Sequence, residues 1–169
     1  YSLYKFNQES AVGIRGGEFS FFKIYPFNSI AIFRIDNFEN AAREPLESML
    51  KVFFKGVNNM NIQNIFYDLS MNPGGSFDAL YSALKALDII KHDTITFQLN
   101  ETKRIDQINK KYNPNKIILQ SNMTDEKIPK ERKLFVLQGI NTASAGDYFC
   151  RIVAENKLGT LVGQNSGEP

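Results

Sequence analysis

The stretch "LQGINTASAGDYFC", Leu137 to Cys150, sets a serine among small residues directly after an apolar run. A serine hydroxyl is a weak nucleophile until a base takes its proton and N–H donors hold the oxyanion that forms on the attacked carbonyl. Ser144 would stand at the mouth of a helix beginning near Ala145, where backbone N–H groups are unpaired and the helix dipole is positive. The Ala145 N–H is then one candidate oxyanion donor. A second turn, "SMNPGG", contributes Gly74 and Gly75, which lack Cβ atoms and can bring an N–H close to a substrate. Gly75 is the candidate for the second donor. Each feature also has an ordinary structural use, since Ser is a favoured N-cap and Pro-Gly-Gly is a common turn.

A nucleophilic serine needs a base, and the sequence offers few. His92, the only histidine, lies in "IIKHDTITF", between a helical and a strand pattern, where a surface turn is its reading. Lys157, in "AENKLGT", sits in a polar turn that ends a helix. A lysine acting as base must be desolvated or stand beside another cation, so Lys157 reads as a solvated charge at a helix C-terminus. Asp68 ends a strand and reads as a structural acceptor. Cys150 lies roughly 1.7 helical turns beyond Ser144, faces away from it, and reads as core.

The elements that must position these turns follow from periodicity. "FSFFKIYPF" and "SIAIFRI" are β-rich runs separated by turn signals such as "GIRGGE", and the Phe-rich run reads as sheet core. "NFENAAREPLESMLKVFFKGVNN" places Leu46, Met49, Leu50, Phe53, Phe54 and Val57 at helical spacing, which predicts an amphipathic helix over roughly Ala42 to Gly56. "IQNIFYDL" is a buried strand, and "SMNPGG" breaks it before "SFDALYSALKALDII" resumes helical periodicity through Leu80, Leu84, Leu87 and Ile90. "DTITFQL" reads as a strand and 100–132 as a polar excursion. "KLFVLQ" is a strand, "ASAGDYFCRIVAEN" a helix, and "GTLVG" a last strand. Alternation of strands and helices predicts an α/β domain with a mostly parallel central sheet flanked by helices. Ligands of such sheets bind past the carboxyl ends of the strands, which is where both turns fall.

At 169 residues and 43% hydrophobic, the chain suits one domain spanning 1–169, with a β-rich segment over about 1–35 and an α/β core over about 36–169. The net charge of +2 gives no field of one sign that would favour nucleic acid. No apolar run reaches the length needed to cross a bilayer. With Cys150 as the sole cysteine, neither an internal disulfide nor a cysteine-rich metal site can form, and no cofactor or metal is expected.

"YDLSMNPGGSFDAL", followed by "LFVLQGINTASAGDYFCRIVAENKLGTLVGQ", resembles the C-terminal processing (tail-specific) serine peptidases, whose patterns run like "DLRxNPGG" and "NxxTASASE…GxATLVGE". The resemblance covers Ser29 to Gly163 in order. It implies a fold like that of crotonase and the Clp-type peptidases, a Ser-Lys dyad, a polypeptide substrate, and a periplasmic, secreted or membrane-associated setting. It places Ser144 on the nucleophile and Ala145 and Gly75 on the two oxyanion donors. It also raises the expectation of an upstream PDZ domain or an oligomer.

The family lysine usually lies 25 residues after the serine, where this chain has Pro169. Three readings stand open: a lysine beyond a chain truncated at its C-terminus, a family branch in which "SGEP" carries no lysine and the base comes from elsewhere, or an inactive homologue that binds without cleaving. Ser70 and Met71 stand where Arg and Asn are usual, and Asp147 where Glu is. Loss of the arginine would weaken an ion pair holding the turn. A crotonase-like acyl-CoA enzyme would use the same paired N–H donors without the serine, so the "TASAG" match counts against it.

Overall fold

The computed structural model describes residues 12–16, 20–39, 43–86 and 132–166. Among them six strands form one sheet, in chain order from edge to edge: β1 (Val12–Gly16), β2 (Ser20–Tyr25), β3 (Ile30–Ile35), β4 (Asn64–Asp68), β5 (Lys133–Gln138) and β6 (Thr160–Gly163). The pairs β1–β2 and β2–β3 are antiparallel, while β3 through β6 run parallel. The expected α/β architecture is thus present, with its antiparallel part confined to the N-terminal strands. Tyr1 to Ala11, His92, the run "DTITFQL" and the polar excursion up to Glu131 lie outside the described residues, as do Leu87 and Ile90.

Alternation decides which face of the sheet is covered. Phe22 and Ile24, Ala31, Phe33 and Ile35, Ile65 and Tyr67, and Leu134 and Val136 are all buried, and their period of two puts them on one face. The register brings Phe33 beside Tyr67 and Tyr67 beside Val136. Helices α1 (Arg43–Asn59), α2 (Phe77–Ala86) and α3 (Ala145–Glu155) supply the matching apolar surfaces. All six apolar positions read for α1, from Leu46 to Val57, are buried. Phe53 stands edge-on to both Phe22 and Phe33, with centroids at 5.4 and 5.1 Å, contacts worth about 0.5–1.5 kcal/mol each beyond their burial.

Helix α1 runs to Asn59 rather than stopping near Gly56. Gly56 serves close packing, since a Cβ there would lie 2.7 Å from Cδ1 of Ile24. The helix instead closes where Met60 N–H donates to the Gly56 carbonyl and Asn61 takes a positive φ of 50°.

Tyr67 lies between Phe33 and Phe149 in near-parallel stacks, centroids 5.8 and 5.9 Å away, and among the described residues its buried hydroxyl has no hydrogen-bond partner. Burial raises its pKa well above the usual phenol value. An unsatisfied buried hydroxyl costs about 1–3 kcal/mol. Tyr67→Phe, which keeps both stacks, is therefore expected to stabilise the protein by about 1 kcal/mol and raise Tm by about 2–4 °C, as read by thermal unfolding; a fall in Tm would show that the hydroxyl has a partner in solution.

Candidate active site

The sheet directs two adjacent strands, β4 and β5, toward the same end, and each is followed by a turn and a helix. After β4 the backbone carbonyl of Leu69 accepts from Asn72 N–H, and after β5 that of Gly139 accepts from Thr142 N–H, both at 2.9 Å. Ala143 N–H crosses from the second turn to the Asn72 carbonyl at 3.0 Å. Buried Thr142 adds a second tie, its hydroxyl donating to the Leu69 carbonyl at 2.8 Å and accepting from Gly139 N–H at 2.9 Å.

Asn72 is the centre of this arrangement. Fully buried, its side-chain Nδ2 donates to the carbonyl of Ile35 at 3.0 Å and its Oδ1 accepts from Gly74 N–H at 2.8 Å. One side chain so joins the end of β3 to the glycine turn, while its backbone carbonyl holds the serine turn. The chain after β3 contributes too: Phe38 N–H donates to the Gly74 carbonyl at 2.8 Å and Ser76 N–H to the Phe38 carbonyl at 2.5 Å, a parallel bridge between Phe38 and Gly75. Phe38 is buried against Phe149 of α3, centroids 6.1 Å apart.

These contacts bring Ser144 and the glycine turn together. A Cβ built on Gly74 would lie 2.6 Å from the Ser144 Cβ and 2.9 Å from the Ala145 nitrogen, and one on Gly75 would lie 2.4 Å from the Phe38 carbonyl carbon. Gly74 and Gly75 hold φ of 107° and 136°, values that side-chain-bearing residues rarely adopt. Gly146 is required by the same closeness, with Asn72 O at 2.8 Å from a hypothetical Cβ. Ser144 and Ala145 thus stand against Gly74, the neighbour of Gly75 and some seventy residues earlier in the chain, at the carboxyl end of the parallel strands. Among the described residues, neither the Gly75 nor the Ala145 amide donates a backbone hydrogen bond to the surrounding turns.

Ser144 itself is exposed and occupies the N-cap position of α3, yet its hydroxyl makes no capping hydrogen bond. Its backbone sits at φ 49°, ψ −123°, a region that costs a non-glycine residue about 1–3 kcal/mol. A strained strand-to-helix turn of this kind lifts a hydroxyl clear of the sheet end. The ordinary N-cap reading of Ser144 does not describe its side chain.

The neighbouring groups have local partners. Asp68 accepts from both Ser70 N–H and the Ser70 hydroxyl, at 3.0 and 2.6 Å, so Ser70 closes the turn in its own way without an arginine. Asp147, in the first turn of α3, accepts from the Ser166 hydroxyl, which ties the chain after β6 to the start of the serine helix. Lys157 is exposed beyond the far end of α3, with φ 53°, away from Ser144. Pro169 lies outside the described residues. Cys150 is buried, and burial together with the nearby Asp147 carboxylate pushes its thiol up to about 12. The folded thiol thus holds its proton from its ordinary value of 9.0 to about 12, while the unfolded thiol loses it; stability from this group falls as pH rises through that window. Alkylation with iodoacetamide at pH 8 is expected to wait for unfolding, and rapid labelling of the native protein would contradict this burial.

Sequence reasoning placed the two turns but assigned nothing to Asn72, Phe38 or Thr142. Asn72 did carry a signal, as the polar residue before Pro-Gly-Gly in a segment flanked by buried positions. Among the described residues no group of three or more His, Cys, Asp or Glu side chains is placed to hold a metal ion, and no helix is long and apolar enough to cross a membrane.

A strained serine at a helix mouth thus stands against a glycine turn at the carboxyl ends of two parallel strands of an α/β domain. The family model for peptidase family S41 matches residues 29–168, and the chain belongs to that family. Among solved structures, the chain is similar to a photosystem II D1 C-terminal processing protease at 16% identity and TM-score 0.57, over 82% of this chain and 31% of that one. It is also similar to a protein described as a peptidase from Parabacteroides merdae, at 18% identity and TM-score 0.60, over 95% and 46%. Mature CPAF is similar at 14% identity and TM-score 0.50, over 92% and 40%. The chain thus spans less than half the length of each of these structures. Among curated proteins no sequence matches it.

Proposed function

We propose that residues 1–169 form part of the single catalytic domain of a serine endopeptidase of the C-terminal processing type. Ser144 attacks a peptide carbonyl, and the N–H groups of Gly75 and Ala145 receive the oxyanion. The attack needs a base to take the hydroxyl proton; a lysine beyond Pro169 is proposed for that role. The tie between Ser166 and Asp147 supports this, because it starts the chain after β6 beside the mouth of α3. The substrate is a polypeptide, laid as an extended strand near the site.

The observation that carries the reading is the exposed Ser144 hydroxyl, on strained backbone and free of its capping role, against Gly74. A serine-directed phosphonate applied to the intact protein tests it, with mass spectrometry expected to map the adduct to Ser144. A folded protein that takes no adduct there would instead support the second reading, a non-catalytic peptide- or ligand-binding module of the same fold. One observation favours that alternative: Lys157, a described lysine on the serine's own helix-turn unit, is solvent-exposed at its opposite end.

A further inference from the structure

The candidate active site uses the carboxyl ends of the parallel strands, and the opposite ends gather positive charge. Arg132 precedes β5 and Lys133 opens it, Thr160 opens β6, and Lys157 and Leu158 lie in the turn between α3 and β6. With Phe135, these residues line one cleft of about 530 Å³, an ordinary size for a small-molecule site. No Asp or Glu lines it, and Glu155, two residues before Lys157, is not part of its wall. Strand β5 separates the cleft from the serine turn by its six residues, on the order of 20 Å at about 3.3 Å per residue.

Three cations around one cleft repel one another, and a cation drawn away from water is ordinarily answered by a carboxylate. Among the described residues, neither Lys133 nor Lys157 forms an ion pair; the one present joins Arg34 to Asp36. Arg132 is half-buried, its Nη1 donates to the neutral Oδ1 of Asn58 at 2.5 Å, and its Nε is buried with no partner among those residues. Burial lowers its pKa from the ordinary arginine value, as befits a guanidinium that has lost water without gaining a counter-charge, and it stays protonated all the same. A helix C-terminus disfavours anions through its free carbonyls. At the end of α3 those of Ile152, Val153 and Ala154 already accept from the N–H groups of Asn156, Leu158 and Lys157.

We propose that this cleft binds the anionic group, a phosphate or a carboxylate, of a small organic molecule. Arg132, Lys133 and Lys157 supply the charge, the Thr160 hydroxyl a further donor, and Phe135 and Leu158 an apolar wall for the carbon skeleton. An anion here restores to the guanidinium the counter-charge that the surrounding residues withhold, while an uncharged molecule of the same size gains only the apolar wall. The site stands apart from Ser144 and is independent of the peptidase reading, so a peptidase and a non-catalytic binding module would both retain it.

Isothermal titration calorimetry of the intact protein with phenyl phosphate and with benzoate, both in about 0.1 M chloride to hold screening constant, tests the site. At least one probe is expected to saturate with a Kd of about 1 mM or tighter, and the tighter of the two identifies the preferred anion. Lys133→Gln/Lys157→Asn removes two charges, and asparagine accepts the φ of 53° at position 157. This variant is expected to bind about 10-fold more weakly while its Tm stays within about 2 °C, because both lysines are exposed. Arg132→Gln, which can keep the bond to Asn58, is expected to weaken binding by at least as much and decides the matter alone if the double variant fails to fold. No saturable heat from either probe up to about 10 mM, or an affinity unchanged in the folded variants, overturns the site.

Discussion

Ser144→Ala is expected to abolish phosphonate labelling and to lower kcat/KM of the intact protein by at least about 10⁴-fold, because removing a nucleophile leaves only binding and oxyanion stabilisation. Its stability should barely change, since the hydroxyl makes no capping bond and the Cβ that carries the strain remains. Ser144→Gly supplies the comparison. Glycine tolerates φ 49°, ψ −123° freely, so this variant should be equally inactive but more stable than Ser144→Ala by about 1 kcal/mol, within the range stored by such backbone outliers. Urea unfolding of the pair measures the difference; equal stability would mean that the turn is relaxed in solution. Substantial residual cleavage by Ser144→Ala would remove the serine from the mechanism.

The second large effect is expected from Gly74→Ala. The added methyl would meet three atoms at once, with Ser144 Cβ at 2.6 Å, Ala143 O at 2.8 Å and Ala145 N at 2.9 Å. Two of these are backbone, and none is the far end of a flexible side chain. The residue would also have to hold φ 107°. Relief requires the two turns to move apart, which breaks the bond from Ala143 N–H to Asn72 and displaces Ser144 from the proposed oxyanion donors. We expect destabilisation of about 2–4 kcal/mol and at least a 10²-fold loss of kcat/KM beyond what unfolding accounts for, because a displacement of about 1 Å suffices for a loss of that size. Near-normal kinetics would show that the glycine turn and the serine are not in contact during catalysis.

Much of the scaffold was legible because its signals are local. The apolar face of α1, from Leu46 to Val57, follows from spacing alone, and the strands around Phe33, Tyr67 and Val136 follow from short apolar runs bounded by turns. Both chemistry-bearing turns announced themselves by small residues after a strand. What joins them did not, because Asn72 acts through Ile35 and Ala143, and Phe38 through Gly74 and Phe149, partners distant in sequence. The end of α1 was misjudged for the same reason: Gly56 answers to Ile24 on a strand, whereas local rules read it as a terminator. The missing capping bond of Ser144 was likewise invisible, since serine before a helix has the same letters whether its hydroxyl caps or points outward.

Asn72 acts as a rivet through three separate lengths of backbone, and this limits how the molecule can fail. One residue holds all three, its side-chain amide the end of β3 and the glycine turn and its backbone carbonyl the serine turn, so a shift of Asn72 disturbs every one of them. Any receptacle built between the two turns therefore exists before a guest arrives, and a relative that discarded the nucleophile would still inherit its shape.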